Sequence, residues 1–243
     1  GQELIDFSAA ICTPLLPWQE WLAINSLRYK PDGRHAHPVV AAVLSRQNGK
    51  TTVMKNLILM GLFEWDVGLQ IGTAHRLTTS LETFRDLVST IESHDFLAKQ
   101  VKRIRWAHGS EEIECLNGNR YMVKAGASAA RGISKPERVF IDECRELKDE
   151  QTWASMRYTM MAANNPQMWA LSSAGDQHSV ILNQLRDRGL VSQAGGDDDI
   201  GYFEWSSPYD KIDDSPRFWQ GIAMANPSLG HIIHRDNIRA VLN

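Results

Sequence analysis

The stretch Ser45-Arg46-Gln47-Asn48-Gly49-Lys50-Thr51-Thr52 decides the fold. It follows His37 to Leu44, a short Val-rich apolar run whose length fits a buried strand. It leads into Thr51 to Trp65, which reads as a helix. Within that helix Leu57 to Phe63 is apolar enough to be buried. A glycine, a lysine and a hydroxyl residue at a strand-to-helix turn match the second half of the phosphate-binding pattern Gly-x-x-x-x-Gly-Lys-Ser/Thr. Leu44 stands where that pattern has its first glycine. The chemistry explains the rest. Gly49 lets the backbone approach phosphates, and successive N–H groups at a helix N-terminus form an anion cradle. Lys50 is placed to reach the β and γ phosphates, and the Thr51 hydroxyl to ligate Mg²⁺. Taken alone, the same residues also describe a turn that only caps a helix.

A second motif bears on that choice. Val139-Phe140-Ile141-Asp142-Glu143 is an apolar strand ending in two acids. A buried strand of this kind delivers a carboxylate beside a Mg²⁺ shell. Asp142 is the candidate to hold the metal through water, and Glu143 the candidate general base for the attacking water. The plainer alternative is a strand that ends in two solvated acids. Both motifs in this order, roughly a hundred residues apart, point to ATP and Mg²⁺ as ligands.

The rest of the chain alternates strand and helix. Leu69 to Ala74 reads as a strand and Leu77 to Glu92 as a helix with Leu81, Phe84, Leu87, Val88 and Ile91 on one face. Between Lys102 and Lys124 apolar residues alternate with polar ones, and Asn117-Gly118 is a turn signal. That pattern predicts antiparallel strands in or beside a parallel sheet. Arg138 to Asp142, Met168 to Ser172 and Gly201 to Trp205 read as strands. Trp153 to Met161 and Val180 to Arg188 read as helices, and Asp213-Asp214-Ser215-Pro216 opens another. Residues 1–36 form an entry segment in which Pro17-Trp18-Gln19 starts a helix. The expected fold is α/β, a P-loop NTPase of RecA/ASCE-like type. A mainly parallel sheet is flanked by helices, with antiparallel strands added. The expected division is an ATPase domain over 1–205 and a linker or lid over 206–243.

Composition narrows the classes. The chain has 243 residues, 43% of them hydrophobic and 23% charged, as in ordinary globular domains. No apolar run approaches the roughly 18 residues of a membrane span, and no secretory signal opens the chain. Cys12, Cys115 and Cys144 show no metal spacing and read as buried free thiols. The net charge of -3 excludes a polycation, so any nucleic-acid contact must be local. Lys99, Lys102, Arg103 and Arg105 beside Trp106 form one such run. It reads equally as a phosphate-tracking surface or as a charged sheet edge. The acids Asp197, Asp198, Asp199, Asp213 and Asp214 cluster on apparent loops and read as solvated rather than as a metal site.

Ser-Arg-Gln-x-Gly-Lys-Thr-Thr, with arginine inside the loop and the first glycine missing, resembles the deviant Walker A of large terminase subunits. These are the DNA-packaging motors of tailed double-stranded DNA phages. Leu16-Pro17-Trp18-Gln19 resembles that family's adenine-reading Q motif. Ile71 to Arg76 resembles the segment after its second strand, and Ala130-Arg131-Gly132-Ile133-Ser134 its arginine-bearing loop. Leu171-Ser172-Ser173-Ala174-Gly175 resembles the coupling motif that links hydrolysis to movement. Trp219 to Gly230 resembles the linker to a nuclease domain.

The resemblance implies several roles. Gln19 would read the base edge, and Trp18 either packs in the core like most of the tryptophans or stacks near the adenine. Ser45, Arg46, Gln47, Asn48, Gly49, Lys50, Thr51 and Thr52 would surround the nucleotide, Thr51 and Asp142 the metal. Ser172 and Ser173 would couple hydrolysis to motion. The arginine finger is either Arg46 in cis or Arg131 reaching a neighbouring subunit, and Arg131 also reads as a plain surface salt bridge. Apart from the resemblance, His75, Arg76 and His178 read as neighbours of the site, and each histidine reads equally as a satisfied packing residue. Expected partners are double-stranded DNA, a portal protein, a small terminase subunit and further copies in a ring, taken as a pentamer. The expected place is the host cytoplasm at the procapsid portal, with no membrane partner and no nuclease activity in this chain. The last helix reaches Asn243 without a cap signal, so the chain is expected to continue. Two other readings stand beside this one: a helicase-like P-loop ATPase of another branch, and a non-catalytic nucleotide-gated interaction module.

Overall fold

The computed structural model describes residues 1–74, 77–107, 111–125, 133, 135–196 and 199–242. The apolar runs become the middle of an eight-stranded sheet. These strands are β1 (Val39–Val43), β2 (Leu69–Ala74), β5 (Arg120–Ala125), β6 (Arg138–Asp142), β7 (Gln167–Ser172) and β8 (Ile200–Glu204). They lie side by side in the order β5-β2-β6-β7-β1-β8, and every pair is parallel. β1, β6 and β7 are buried at every position, as strands covered on both faces must be. The short strands β3 (Val101–Arg105) and β4 (Glu112–Cys115) extend the β5 edge in antiparallel fashion. The expected antiparallel addition is therefore present. β5 is the joint, antiparallel to β4 on one side and parallel to β2 on the other.

Helices cover both faces. Val40, Ala42, Phe140, Trp169 and Leu171 point to one side, where they meet four helices. These are α1 (Gln2–Ala10), α2 (Pro17–Ser26), α3 (Lys50–Phe63) and α4 (Leu77–Glu92). Val39, Ala41, Val139, Ile141, Met168 and Ala170 point to the other side. There they meet α6 (Glu150–Met160) and α7 (Val180–Gln193). The period of two in each strand thus splits one apolar run into two cores. α3 is buried over nearly its whole length, which suits a helix without a polar face. α5 (Asp95–Ala98) is a single turn. α8 (Pro216–Ala225) and α9 (Arg235–Leu242) close the chain, with Arg235 stacked on the Trp219 ring at 4.1 Å. No helix among the described residues is long and apolar enough to cross a membrane.

Three expectations change. α1 was not legible in the entry segment. Cys12 is exposed, whereas Cys115 and Cys144 are buried and pushed up to about 12 by burial, so only two thiols are core residues. The basic run on β3 is largely spent on ion pairs. Lys102 and Arg103 both reach Glu114, at 2.7 and 3.0 Å, and Arg105 reaches Glu112 at 3.5 Å. Those acids sit on β4 directly opposite, so the run is an ion-paired sheet edge. Asp213 and Asp214 also act locally, Asp213 accepting from the Ser215 N–H at 3.2 Å and Asp214 from the Trp219 indole. Of the acidic triplet 197–199, only Asp199 is described. It pairs with Lys30 at 3.1 Å.

At the opposite end of β6 from its acids, His35 is buried beside Arg138 and stacks on Tyr29 with ring centroids 4.9 Å apart. Its backbone N–H donates to Asn165 Oδ1, and its Nδ1 has no partner among the described residues. Burial first, and the Arg138 charge second, hold its pKa down at about 4, against an ordinary 6.5. The unfolded chain therefore takes up this proton first, and stability falls as pH drops from about 6.5 towards 4. In urea denaturation at pH 7 and pH 5, His35→Gln is expected to lose less stability than wild type, by about 2 kcal/mol. Equal losses in the two proteins would remove His35 as the source.

Candidate active site

Three neighbouring strand ends meet at one edge of the sheet. β7 lies between β1 and β6, so Ser172 at its end separates the loop after Val43 from Asp142. Leu44 N donates to Ser172 O at 3.1 Å and ties the loop to β7. On the other side Arg145 N donates to Ser172 Oγ at 3.0 Å, and Ser173 Oγ donates to Glu143 Oε2 at 3.1 Å. Ser172 and Ser173, the coupling candidates, thus touch both the loop and the acid pair.

The loop has the form that an anion requires. Gly49 precedes α3 with φ +89°, a left-handed conformation that favours glycine. A Cβ there would also fall 2.8 Å from Gln19 Nε2. The N–H groups of Gly49, Lys50 and Thr51 find no acceptor among the described residues and sit at the positive end of α3. Lys50 is buried, and its Nζ donates to Leu44 O at 3.3 Å and Ser45 O at 3.2 Å. Burial pulls the Lys50 ammonium below its ordinary pKa, Glu143 and Asp142 pull it back up, and Arg145 and Arg46 lower it. Burial pushes the Asp142 carboxyl up, and Glu143 pushes it further. The Glu143 N–H, 3.0 Å from Asp142 Oδ1, and Lys50 oppose both. Burial thus disfavours each charge, and its opposite number favours it.

The fit to a nucleotide and its metal rests on these groups. Uncapped N–H groups and a buried lysine suit phosphate oxygens. The exposed Thr51 and the buried Asp142 are oxygen donors of the kind Mg²⁺ takes. No cluster of three or more His, Cys, Asp and Glu exists among the described residues. A magnesium site completed by phosphates and water does not need one.

Other expected nucleotide ligands have protein partners. Asn48 is fully buried. Its Nδ2 donates to Ser45 Oγ at 2.9 Å and Asn226 Oδ1 at 3.1 Å, and its Oδ1 accepts from Ser228 N at 3.1 Å. Ser45 Oγ donates towards Ala225 O at 2.6 Å or Asn226 Oδ1 at 2.5 Å. Ser228 Oγ donates to Asn48 O at 2.7 Å and accepts from the Trp18 indole at 2.8 Å. Residues 225–228 therefore clasp the phosphate loop from behind. Trp18 is part of that clasp and lies in the core, edge-on to Trp205 at 5.2 Å, so protein takes up the ring surface expected to stack on a base. Gln19 accepts from Leu16 N at 2.7 Å and donates to Gly49 O at 2.9 Å, bracing the loop against α2. It keeps one N–H and one lone pair beyond those bonds. Arg46, Gln47 and Thr51 are exposed and Thr52 is half-buried, all on the loop or the first turn of α3.

The expected finger Arg131 lies outside the described residues, with 126–132 and 134, and so do His75 and Arg76. His178 is in an exposed turn, its N–H donating to Asp176 Oδ1 at 2.7 Å. The residue that sequence reasoning missed is Arg145, whose Nε is 3.2 Å from Glu143 Oε2. Its only signal is its place two residues after Glu143, in the charged run Arg145-Glu146-Leu147-Lys148-Asp149, which resembles a solvated loop.

The fold recurs in solved structures. The HK97 bacteriophage large terminase superposes with a TM-score of 0.75 at 18% identity, covering 94% of this chain and 46% of its own. The chain has the fold of a terminase ATPase domain. The ATPase domain of the Thermus phage P74-26 large terminase gives a TM-score of 0.59 at 13% identity, covering 82% of this chain and 83% of its own. The large terminase of the thermophilic bacteriophage D6E gives 0.55 at 13%, covering 79% and 46%. The α/β P-loop NTPase expectation holds for the fold. The chain spans about half the length of the whole HK97 and D6E terminases. No protein-family model and no curated protein matches the sequence.

Truncating Asn48 leaves the Ser228 N–H without its acceptor inside the clasp. Asn48→Ala is expected to lower the unfolding free energy by about 1–3 kcal/mol in urea titration. A loss no larger than that of a surface alanine substitution would show that the clasp carries no stability.

Proposed function

We propose that the chain is the ATP-hydrolysing motor domain of a viral terminase large subunit, which drives double-stranded DNA into a procapsid. The observation that carries this reading is the meeting of three groups at adjacent strand ends. They are the Lys50 loop on β1, the serines on β7 and the acid pair on β6. The shared fold supports it independently.

In this reading the N–H groups of Gly49, Lys50 and Thr51 bind phosphate oxygens, and Lys50 leaves the carbonyls of Leu44 and Ser45 to do the same. Thr51 and Asp142 would hold Mg²⁺, which neutralises phosphate charge when bound. Glu143 orients a water and takes its proton as the water oxygen attacks the γ-phosphorus and the bond to ADP breaks. Ser45 and Asn48 shape the loop rather than touch the ligand. Arg46 is exposed on the loop and is the candidate cis cation, while Arg131 is proposed to act from a neighbouring subunit. Residues 206–243 are proposed as a lid or linker to a nuclease domain, beyond the ATPase domain over 1–205. A portal protein, a small terminase subunit and a pentameric ring at the portal in the host cytoplasm complete the proposal.

Lys50→Ala is expected to abolish binding of an ATP analogue in calorimetry. Glu143→Ala is expected to bind normally and to lose at least roughly 10²-fold in turnover. Equal turnover in wild type and Glu143→Ala would favour the nucleotide-gated module instead. Arg131→Ala should bind nucleotide normally and lose the hydrolysis that ring assembly on a portal-bearing procapsid stimulates. Turnover that survives in the assembled motor would remove Arg131 as the finger.

A further inference from the structure

Glu143 has a left-handed backbone, φ 51° and ψ 52°, which is uncommon for a side chain of its size. The following 3-10 turn, Cys144–Glu146, then folds back over the end of β7. The fully buried Cys144 anchors it. This kink brings Arg145 alongside the residue two before it. Arg145 Nε is 3.2 Å from Glu143 Oε2, and its Nη2 is 3.4 Å from Glu146 Oε1. Its own N–H is fixed to Ser172 Oγ. Both Arg145 and Glu143 are less than a third exposed.

The two oxygens of Glu143 are used unequally. Oε2 receives the Ser173 hydroxyl and faces the Arg145 guanidinium. Oε1 has no partner among the described residues. A glutamate left to itself samples several rotamers and must be ordered before it can take a proton from one defined water. Here one oxygen accepts the Ser173 hydroxyl and sits against the guanidinium in an ion pair, with Arg145 Nε close to it but not aligned for a hydrogen bond, and the other oxygen is the one left for water. Arg145 is in turn held by Glu146, which keeps its guanidinium on the acid.

We propose that Arg145 is the positioning residue for Glu143: with Ser173 it fixes one carboxylate oxygen and leaves the other to act on the attacking water. This rests on the hydrolytic reading of the site. It gives Arg145 a role distinct from an arginine finger, because it acts through Glu143 and not on the phosphate. Strained backbone at Glu143 is the local cost of that arrangement.

The test is a four-protein cycle of wild type, Glu143→Ala, Arg145→Ala and the double variant, with Arg145→Lys as the conservative change. Arg145→Ala is expected to lower kcat by roughly 10²-fold, with the affinity for an ATP analogue unchanged. Arg145→Lys should recover part of the rate. In the Glu143→Ala background Arg145→Ala should cost nothing further. Melting temperatures of the same four proteins without nucleotide read the contact independently of turnover, and their shifts are expected to be non-additive. Additive melting shifts, a multiplied rate loss in the double variant, or a tenfold weaker affinity in Arg145→Ala would each overturn the role. The last would make Arg145 a phosphate ligand. Identical turnover in wild type and Glu143→Ala would instead overturn the hydrolytic reading, and this role with it.

Discussion

The interposition of β7 between β1 and β6 sets the dimensions of the site. Strands in a sheet lie about 4.8 Å apart, so two spacings place the loop and the acid pair roughly 10 Å from each other. That gap suits a terminal phosphate, a metal and a water better than direct contact between lysine and carboxylate would. The spacing is not adjustable, because β1, β7 and β6 are paired through Val39 to Val43 and Arg138 to Ile141 without a shift in register. A one-residue slip would exchange the two faces and expose one of the cores. The apolar alternation that builds the cores therefore also fixes the width of the site.

Packing behind the loop does comparable work. A phosphate cradle must hold its N–H groups pointed outward before any ligand arrives, and those groups repel one another. Gln19 holds the Gly49 carbonyl from α2, and Asn226 and Ser228 hold Ser45 and Asn48 from the segment after α8. Both braces come from parts of the chain far from the loop in sequence, one near the start and one near the end. The loop's shape thus depends on the whole chain being folded. Polar groups this deeply buried are favourable only because nearly all of them are paired.

The sequence made the sheet legible wherever one local rule sufficed. The apolar run before Ser45, the strand ending at Asp142 and the amphipathic face of Leu81, Phe84, Val88 and Ile91 each carry their own period. The loop glycine was legible from chemistry, since only a strand-to-helix turn with a lysine gives it a purpose. Other features depend on pairing between distant residues, and a single sequence does not display it. Glu114 facing Lys102 and Arg103 tied a basic run into ion pairs across the sheet edge. Ser228 drew Trp18 and Asn48 into a clasp, although the family resemblance implied ligand contacts. Arg145 was hidden because its neighbours in sequence are charged and ordinary, and only the left-handed turn at Glu143 aims it inward.

The charges at the site form a closed set in the absence of ligand. Lys50, Arg46 and Arg145 oppose Asp142 and Glu143. Burial acts against both signs at once, lowering Lys50 and raising Asp142, so each would tend to neutralise if the other were removed. In the proposed function a polyphosphate would add negative charge beside Lys50 and a divalent cation positive charge beside Asp142, and each would replace the partner that the other draws away. In the proposed reading, nucleotide and metal together would be accommodated at less electrostatic cost than either alone. In the same reading Arg145, held between Glu146 and Glu143, stands outside this exchange, and the Glu143 carboxylate would keep its orientation while the charges around it change partners.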